Sequence, residues 1–352
     1  MRVLVVDDSA VVRKMLTDAL SKEPGIEVVG SAADVFIARD LILKHNPDVM
    51  TLDIEMPRMD GLTFLRRVME YKPMPVIIVS SITQKGSAAS VEALQIGAID
   101  VIAKPGGPGS VGAVAEAIAA RIRALRNKPV KLTKIGSAAP AAPTLARPSM
   151  KHPGSLIVVG ASTGGTQAIE SLLTRMPADI PPMLIVQHMP AGFTKAFAER
   201  LNASCAMRVV EAHRGETIEN GTVYVAPGDH HMAVERFGLQ LRTVLRDGPP
   251  VHFQRPAVDV LFYSAAKLKG VPIVGVILTG MGQDGADGMV ALRQAGAQTL
   301  AEDEQSCVVF GMPKEAIARG GAMHVVTLLQ MPHKIAECLD KSARFVARPV
   351  AS

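Results

Sequence analysis

The sequence predicts an α/β protein made of two doubly wound parallel-sheet domains. Three observations carry this. Short, β-branched and nearly continuous apolar runs alternate with amphipathic stretches, and they do so twice along the chain. The 352 residues exceed what one ordinary core holds. Between the two alternating patterns lies a segment rich in Pro, Ala and Ser with no apolar period. The predicted organisation is a (βα)5 domain over 1–126, a flexible linker over 127–152 and a larger α/β domain over 153–346.

In the first domain the strand-like runs are 2–6, 26–32, 49–53, 75–81 and 101–103, with Ser9 as N-cap of the first helix and a last helix near 111–126. Ligands of doubly wound sheets bind at the carboxyl ends of the strands. Asp7 and Asp8 end the first run, Asp53 the third and Ser80 the fourth, and Lys104 follows the fifth. Three carboxylates at one sheet edge repel one another unless a cation joins them, and oxygen-only ligands favour Mg²⁺. A lysine and a hydroxyl beside them suit a transferred phosphoryl group.

This arrangement resembles a response-regulator receiver domain over 1 to about 124. The resemblance implies that Asp53 in TLDIEMPRMDG accepts a phosphoryl group, with a histidine kinase as donor. It implies that Asp7, Asp8 and Asp53 hold Mg²⁺, that Ser80 is the switch hydroxyl and that Lys104 pairs with the phosphoryl group. Where many receivers carry an aromatic switch residue, three positions before Lys104, this chain has Val101.

Composition excludes several classes. Aromatics are 3% and Trp is absent, which argues against a stacking surface for single-stranded nucleic acid. No helix-turn-helix signal follows the first domain. The net charge of +5 is local: 117–152 contains eight Lys and Arg and no acidic residue, which reads as a solvated basic linker. Cys205, Cys307 and Cys338 are widely spaced, with no disulfide framework or zinc pattern. With no leader-like start and no apolar run near the ~20 residues of a span, the expectation is a cytoplasmic, monomeric protein without membrane insertion.

The second domain reads as strands at 155–160, 183–188, 222–227, 271–280 and, more weakly, 298–302. Its helices fall near 165–176, 193–202, 257–268, 287–295 and 313–319, and 231–244 alternates around Gly238 as an added β-hairpin. Ser162 follows the first strand, His188 closes the second and Asp284 follows the fourth. Gly160-Ala161-Ser162-Thr163-Gly164 matches the G-x-S-x-G turn that exposes a nucleophile. A serine hydroxyl needs a base, and histidine oriented by a carboxylate is one.

Taken alone, the glycine-rich turn fits a phosphate-binding loop equally well, and Asp287 competes with Asp284. Three strand ends of one sheet delivering Ser, His and Asp favour a triad. The amide after Ser162, at Thr163, and the one at Met281 are candidates for an oxyanion hole. His230 and His231 point to opposite faces of a strand and make a poor metal pair. His231 instead reads as a wall of the substrate cleft, and Arg255 as a guide for an acidic substrate.

Six strings then occur in order: Val159–Gly165, Leu184–Pro190, Tyr224–Met232, Arg255–Phe262, Val276–Met289 and Gln305–Ile317. Together they closely resemble the catalytic domain of the chemotaxis protein-glutamate methylesterase/glutaminases. The resemblance implies hydrolysis of γ-glutamyl methyl esters and deamidation of glutamines on chemoreceptors. It places the triad on Ser162, His188 and Asp284, prefers Asp284 to Asp287, and requires no metal for the hydrolase step.

Overall fold

The computed structural model describes residues 1–56, 60–105, 111–126 and 152–346, with the side chains of 84 and 342–346 left aside. Two compact units are present. The first contains β1 (Arg2–Val6), α1 (Ala10–Leu20), β2 (Glu27–Ala32), α2 (Val35–His45), β3 (Val49–Leu52), α3 (Gly61–Tyr71), β4 (Val76–Ser80), α4 (Gln84–Ile96), β5 (Asp100–Ala103) and α5 (Val111–Leu125). The strands form one parallel sheet in the order β2-β1-β3-β4-β5. Val3, Leu4, Val76 and Ile77 have no accessible surface, as continuous apolar strands between two helix layers should. Ser9 accepts from Val12 N–H and starts α1, the capping expected of it. The order reverses between β1 and β3, so the crevice opens where Asp7, Asp8 and Asp53 sit.

The second unit begins with β6 (Leu156–Ala161), α6 (Gly165–Leu173), β7 (Met183–Gln187), α7 (Phe193–Ser204), β8 (Arg208–Glu211) and β9 (Thr222–Val225). It continues with β10 (His231–Phe237), β11 (Gln240–Arg246), α8 (Val258–Ala266), β12 (Ile273–Ile277), α9 (Ala286–Gln294), β13 (Gln298–Glu302), α10 (Met312–Ala318), β14 (His324–Val326) and α11 (Met331–Val346). Seven strands form a parallel sheet in the order β14-β13-β12-β6-β7-β9-β8. β10 and β11 form the separate antiparallel hairpin the alternation predicts, turning at Gly238. The sheet winds outward in both directions from β6, which pairs with β7 on one side and β12 on the other. The end of β6 is therefore the switch point, and Ser162 follows it directly.

Three elements go beyond the sequence reading. β8 and β14 are short edge strands whose residues are largely half-exposed, so neither carries a long apolar run. α11 buries Met331, Ile335, Cys338 and Leu339, a helical spacing interrupted by charged residues. The predicted linker lies outside the described residues except for His152.

Candidate active site

β6, β7 and the turn after β12 bring Ser162, His188 and Asp284 to one edge of the sheet. Ala161 pairs with Gln187 in the ladder, so Ser162 and His188 leave adjacent strands side by side. Ser162 N–H donates to Thr279 O at 3.0 Å, and His188 N–H donates to Ala161 O at 3.1 Å. Gly164, at φ 78°, turns the chain into α6, and a Cβ there would stand 2.5 Å from that of Val308.

His188 Nε2 lies 2.7 Å from Asp284 Oδ2, and both side chains are buried. His188 Nδ1 is also buried and has no partner. With Nε2 committed to the carboxylate, Nδ1 is the nitrogen left to accept a proton. Asp284 does more than orient the ring. Its Oδ2 accepts the Val258 N–H at 2.7 Å and its Oδ1 the Asp259 N–H at 3.0 Å. It thereby caps α8, whose own N-cap residue, Ala257, has no side chain to do so. Burial works against ionising Asp284, but the His188 contact and these two amides prevail and hold its carboxyl below the usual range. Asp287, the competing candidate, pairs instead with Arg319 at 2.7 Å.

The capping is reciprocal. Asp259, in the first turn of α8, accepts the Gly288 N–H at 2.7 Å and so caps α9, while its Oδ2 lies 3.1 Å from His252 Nε2. Burial, with the Asp284 charge adding to it, overcomes the Gly288 amide and pushes this carboxyl up to about 6.

Two peptide planes are set by their carbonyls. Ser162 O accepts from Gln187 Nε2 at 2.9 Å and from Gly165 N–H at 2.7 Å. Gly280 O accepts from Gly311 N–H at 3.0 Å and Met312 N–H at 2.9 Å. In a trans peptide the N–H points opposite the C=O. The directions of the Thr163 and Met281 N–H groups are therefore fixed. Glycine is required at 280, where a Cβ would meet Met312 Sδ at 2.3 Å and Ser162 Cβ at 2.8 Å.

Behind them, Thr279 Oγ1 donates to Thr163 O at 3.0 Å, and Thr279 N–H donates to Glu302 Oε2 at 2.8 Å. Glu302 is fully buried, and burial pushes its carboxyl up to about 7 against the pull of the Thr279 amide. Gln187, Asp259, Thr279 and Glu302 escaped the sequence reading. The available signals were polar side chains closing the apolar strands MLIVQ and QTLAE.

The two cleft residues sit differently. His231 is 4% exposed, its Nδ1 accepting from Ala257 N–H at 3.2 Å and its Nε2 donating to Pro249 O at 3.0 Å. Both ring nitrogens are thus committed to the backbone, and the residue secures the segment before α8. His230 points the other way, as expected, toward Asp247 at 2.7 Å. Arg255 remains part-exposed, with Nη1 donating to Gly248 O at 2.8 Å and Nη2 to Asp229 at 3.4 Å.

In the first unit, carboxylate oxygens of Asp7, Asp8 and Asp53 lie within 4.8 Å of one another. Lys104 Nζ reaches Asp53 Oδ2 at 2.8 Å and Asp7 Oδ2 at 2.9 Å. Burial raises both buried carboxyls, and Lys104 opposes it. For Lys104 itself burial works against the charge, but Asp53 and Asp7 prevail and raise it. Ser80 Oγ is buried without a hydrogen-bond partner. Three carboxylates gathered this closely, two of them buried, form an oxygen-only set that fits a hard divalent cation such as Mg²⁺. Val101 is buried in β5.

Among the described residues no helix is long and apolar enough to cross a membrane. The CheB methylesterase family model matches residues 157–335, and the response regulator receiver domain model matches residues 3–116. The protein-glutamate methylesterase/protein-glutamine glutaminase 2 of Syntrophus aciditrophicus is 52% identical over 328 residues, covering 93% of this chain and 96% of its own. The protein-glutamate methylesterase/protein-glutamine glutaminase of Methylobacillus flagellatus is 49% identical over 346 residues, covering 96% of each chain. The crystal structure of the Thermotoga maritima CheB methylesterase catalytic domain aligns with a TM-score of 0.51 at 39% identity, over 52% of this chain and 98% of that one.

Proposed function

The chain belongs to the CheB methylesterase family, with a response regulator receiver domain in front, and on that premise we propose how it works as a phosphorylation-regulated protein-glutamate methylesterase and protein-glutamine glutaminase. The observation that carries the mechanism is the 2.7 Å His188–Asp284 contact, with the buried Nδ1 left without a partner and Ser162 following the neighbouring strand.

His188 Nδ1 takes the Ser162 proton as Oγ bonds to the ester carbonyl carbon. Asp284 stabilises the imidazolium, and the Thr163 and Met281 amides receive the oxyanion. Collapse breaks the C–O bond, and the imidazolium protonates the departing methoxide to methanol. Water, deprotonated by His188, then attacks the acyl-serine and releases the glutamate carboxylate and Ser162. With glutamine the C–N bond breaks instead and ammonia leaves. The free enzyme lacks a Ser162–His188 hydrogen bond, which is common for sites that tighten only around substrate.

The receiver spans 1–126 in this reading, the linker 127–152 and the hydrolase 153–346. Asp53 accepts the phosphoryl group from a histidine kinase. Asp7, Asp8 and Asp53 would hold Mg²⁺, which would supply neutralisation of the phosphoryl charge. Lys104 pairs with that group and Ser80 senses it. The protein substrates are chemoreceptors. Incubating the full chain with methyl-labelled receptor and a small phosphodonor tests the reading. Wild type releases labelled methanol and Ser162→Ala releases none. Full release by Ser162→Ala would instead make GASTGG a phosphate-binding loop.

A further inference from the structure

Residues 251–254 make a two-residue turn just before α8. Val251 and Gln254 exchange both backbone hydrogen bonds, at 3.0 and 2.9 Å. The two central residues, His252 and Phe253, both have left-handed backbones, with φ of 50° and 63°. Turns of this kind ordinarily use Asn-Gly, because a Cβ is crowded at positive φ. An imidazole followed by a phenyl ring is a strained choice.

His252 has partners that hold it there. Its Nε2 donates to Asp259 Oδ2 at 3.1 Å, and its Nδ1 accepts from Gln283 Nε2 at 3.4 Å. Arg319 donates to Gln283 Oε1, which fixes which way that amide faces. Asp259 in turn donates its backbone N–H to Asp284. Ligand atoms of His252, Asp259 and Asp284 lie within 4.8 Å of one another. Protein donors already fill the cluster, so it is a hydrogen-bonded tether rather than a cation seat. The turn is thereby referenced to the triad carboxylate through side chains that are themselves locked.

Among the described residues Phe253 has no such partner. Its side chain is 98% exposed, so it adds nothing to the core while occupying a backbone conformation that disfavours it. Strain that persists against local preference marks function. The hydrolysed group sits on a protein side chain, and Ser162 and His188 are buried. The acyl chain must therefore reach inward while the flanking polypeptide lies on the rim, beside this turn.

We propose that Phe253 is a docking residue for the protein substrate, presented beside the triad by a strained turn that His252 tethers to Asp259. It receives an apolar side chain of the polypeptide that flanks the reactive glutamyl group. Arginine and aromatic anchors of this kind carry a disproportionate share of interface energy. This inference rests on the hydrolase reading above and names how that site holds its substrate.

Two variants of the full chain test it, Phe253→Gly and Phe253→Leu, assayed on methyl-labelled receptor with phosphodonor. Glycine removes the ring and the backbone strain together. The expected result is an unchanged or higher melting temperature, an unchanged kcat and a KM raised about tenfold. Leucine, which keeps an apolar contact, should hold KM within about threefold. A wild-type KM in Phe253→Gly overturns the proposal, and so does a loss confined to kcat. Faster demethylation by Phe253→Gly without phosphodonor also overturns it, assigning the ring to an internal contact. If wild type released no methanol, the hydrolase reading would fail separately. Co-sedimentation of the Ser162→Ala chain with receptor-bearing membranes, with and without Phe253→Gly, would still decide the docking question.

Discussion

Replacing Asp284 with asparagine keeps the side chain's shape but removes its charge and one acceptor. The native carboxylate receives three donors: His188 Nε2 and Val258 N–H on Oδ2, and Asp259 N–H on Oδ1. Asparagine has two ways to sit there. With its oxygen at the Oδ2 position, its NH₂ faces the Asp259 N–H, donor against donor. With its oxygen at the Oδ1 position, its NH₂ faces Val258 and forces His188 Nε2 to accept. The ring proton then moves to Nδ1, the atom that must take the serine proton. Either arrangement also leaves the imidazolium without its counter-charge. The expected loss is about 10³- to 10⁴-fold in kcat, or about 4–5.5 kcal/mol of transition-state stabilisation. The unpaired donor costs roughly 1–3 kcal/mol of stability as well. Methanol release from labelled receptor measures the first. Hydrogen exchange at the Val258 and Asp259 amides measures the second and should quicken. An Asp284→Asn protein with a tenth or more of wild-type activity would refute the assignment, and unchanged exchange at those amides would refute the cap.

Three further outcomes are expected. Glu302, raised by burial to about 7 from 4.5, holds a proton in the folded chain that the unfolded chain has released, so its contribution is complete below pH 4.5 and fades as pH rises through about 7. Glu302→Gln keeps an acceptor for Thr279 N–H and should flatten that loss, roughly 3 kcal/mol by linkage; parallel melting curves of the two proteins between pH 5 and 9 would contradict it. Gly280→Ala drives a Cβ into Met312 and Ser162, and should cost about 1–3 kcal/mol and at least about tenfold in kcat, measured by thermal melting and methanol release. Asp53→Asn, or removal of Mg²⁺ by a chelator, should abolish stimulation by a small phosphodonor while leaving basal demethylation intact, and stimulation that survives both would displace Asp53 as phosphoacceptor.

The sheets and the strand-end residues were legible because their signals are local. A β-branched run ends, and the next polar residue stands at the crevice: Asp7, Asp53 and Ser162 follow this rule, and His188 stands one position further on. Asp284 was nameable as a turn residue, but its role as the cap of α8 depends on a contact 26 residues away that no period encodes. His231 illustrates the opposite limit. Its alternation on β10 was readable, yet only the fold reveals that Pro249 and Ala257 claim both of its nitrogens. Gln187 and Glu302 look like strand ends in sequence, and their work as buried anchors of the Ser162 and Thr279 peptides is tertiary. Edge strands β8 and β14 escaped because short, half-exposed segments have too few apolar residues to stand out.

The reciprocal capping of α8 and α9 has a consequence for how this enzyme can change. Active-site charges are commonly held at the expense of the fold, so that losing them makes a protein inactive but sturdier. Here the carboxylate proposed to orient His188 also closes a helix, and its neighbour Asp259 closes the other. A chain that loses Asp284 also frays the start of α8. Loss of catalysis and loss of structure are coupled in this domain, and a descendant that abandons hydrolysis would have to find a new cap before it could abandon the old acid.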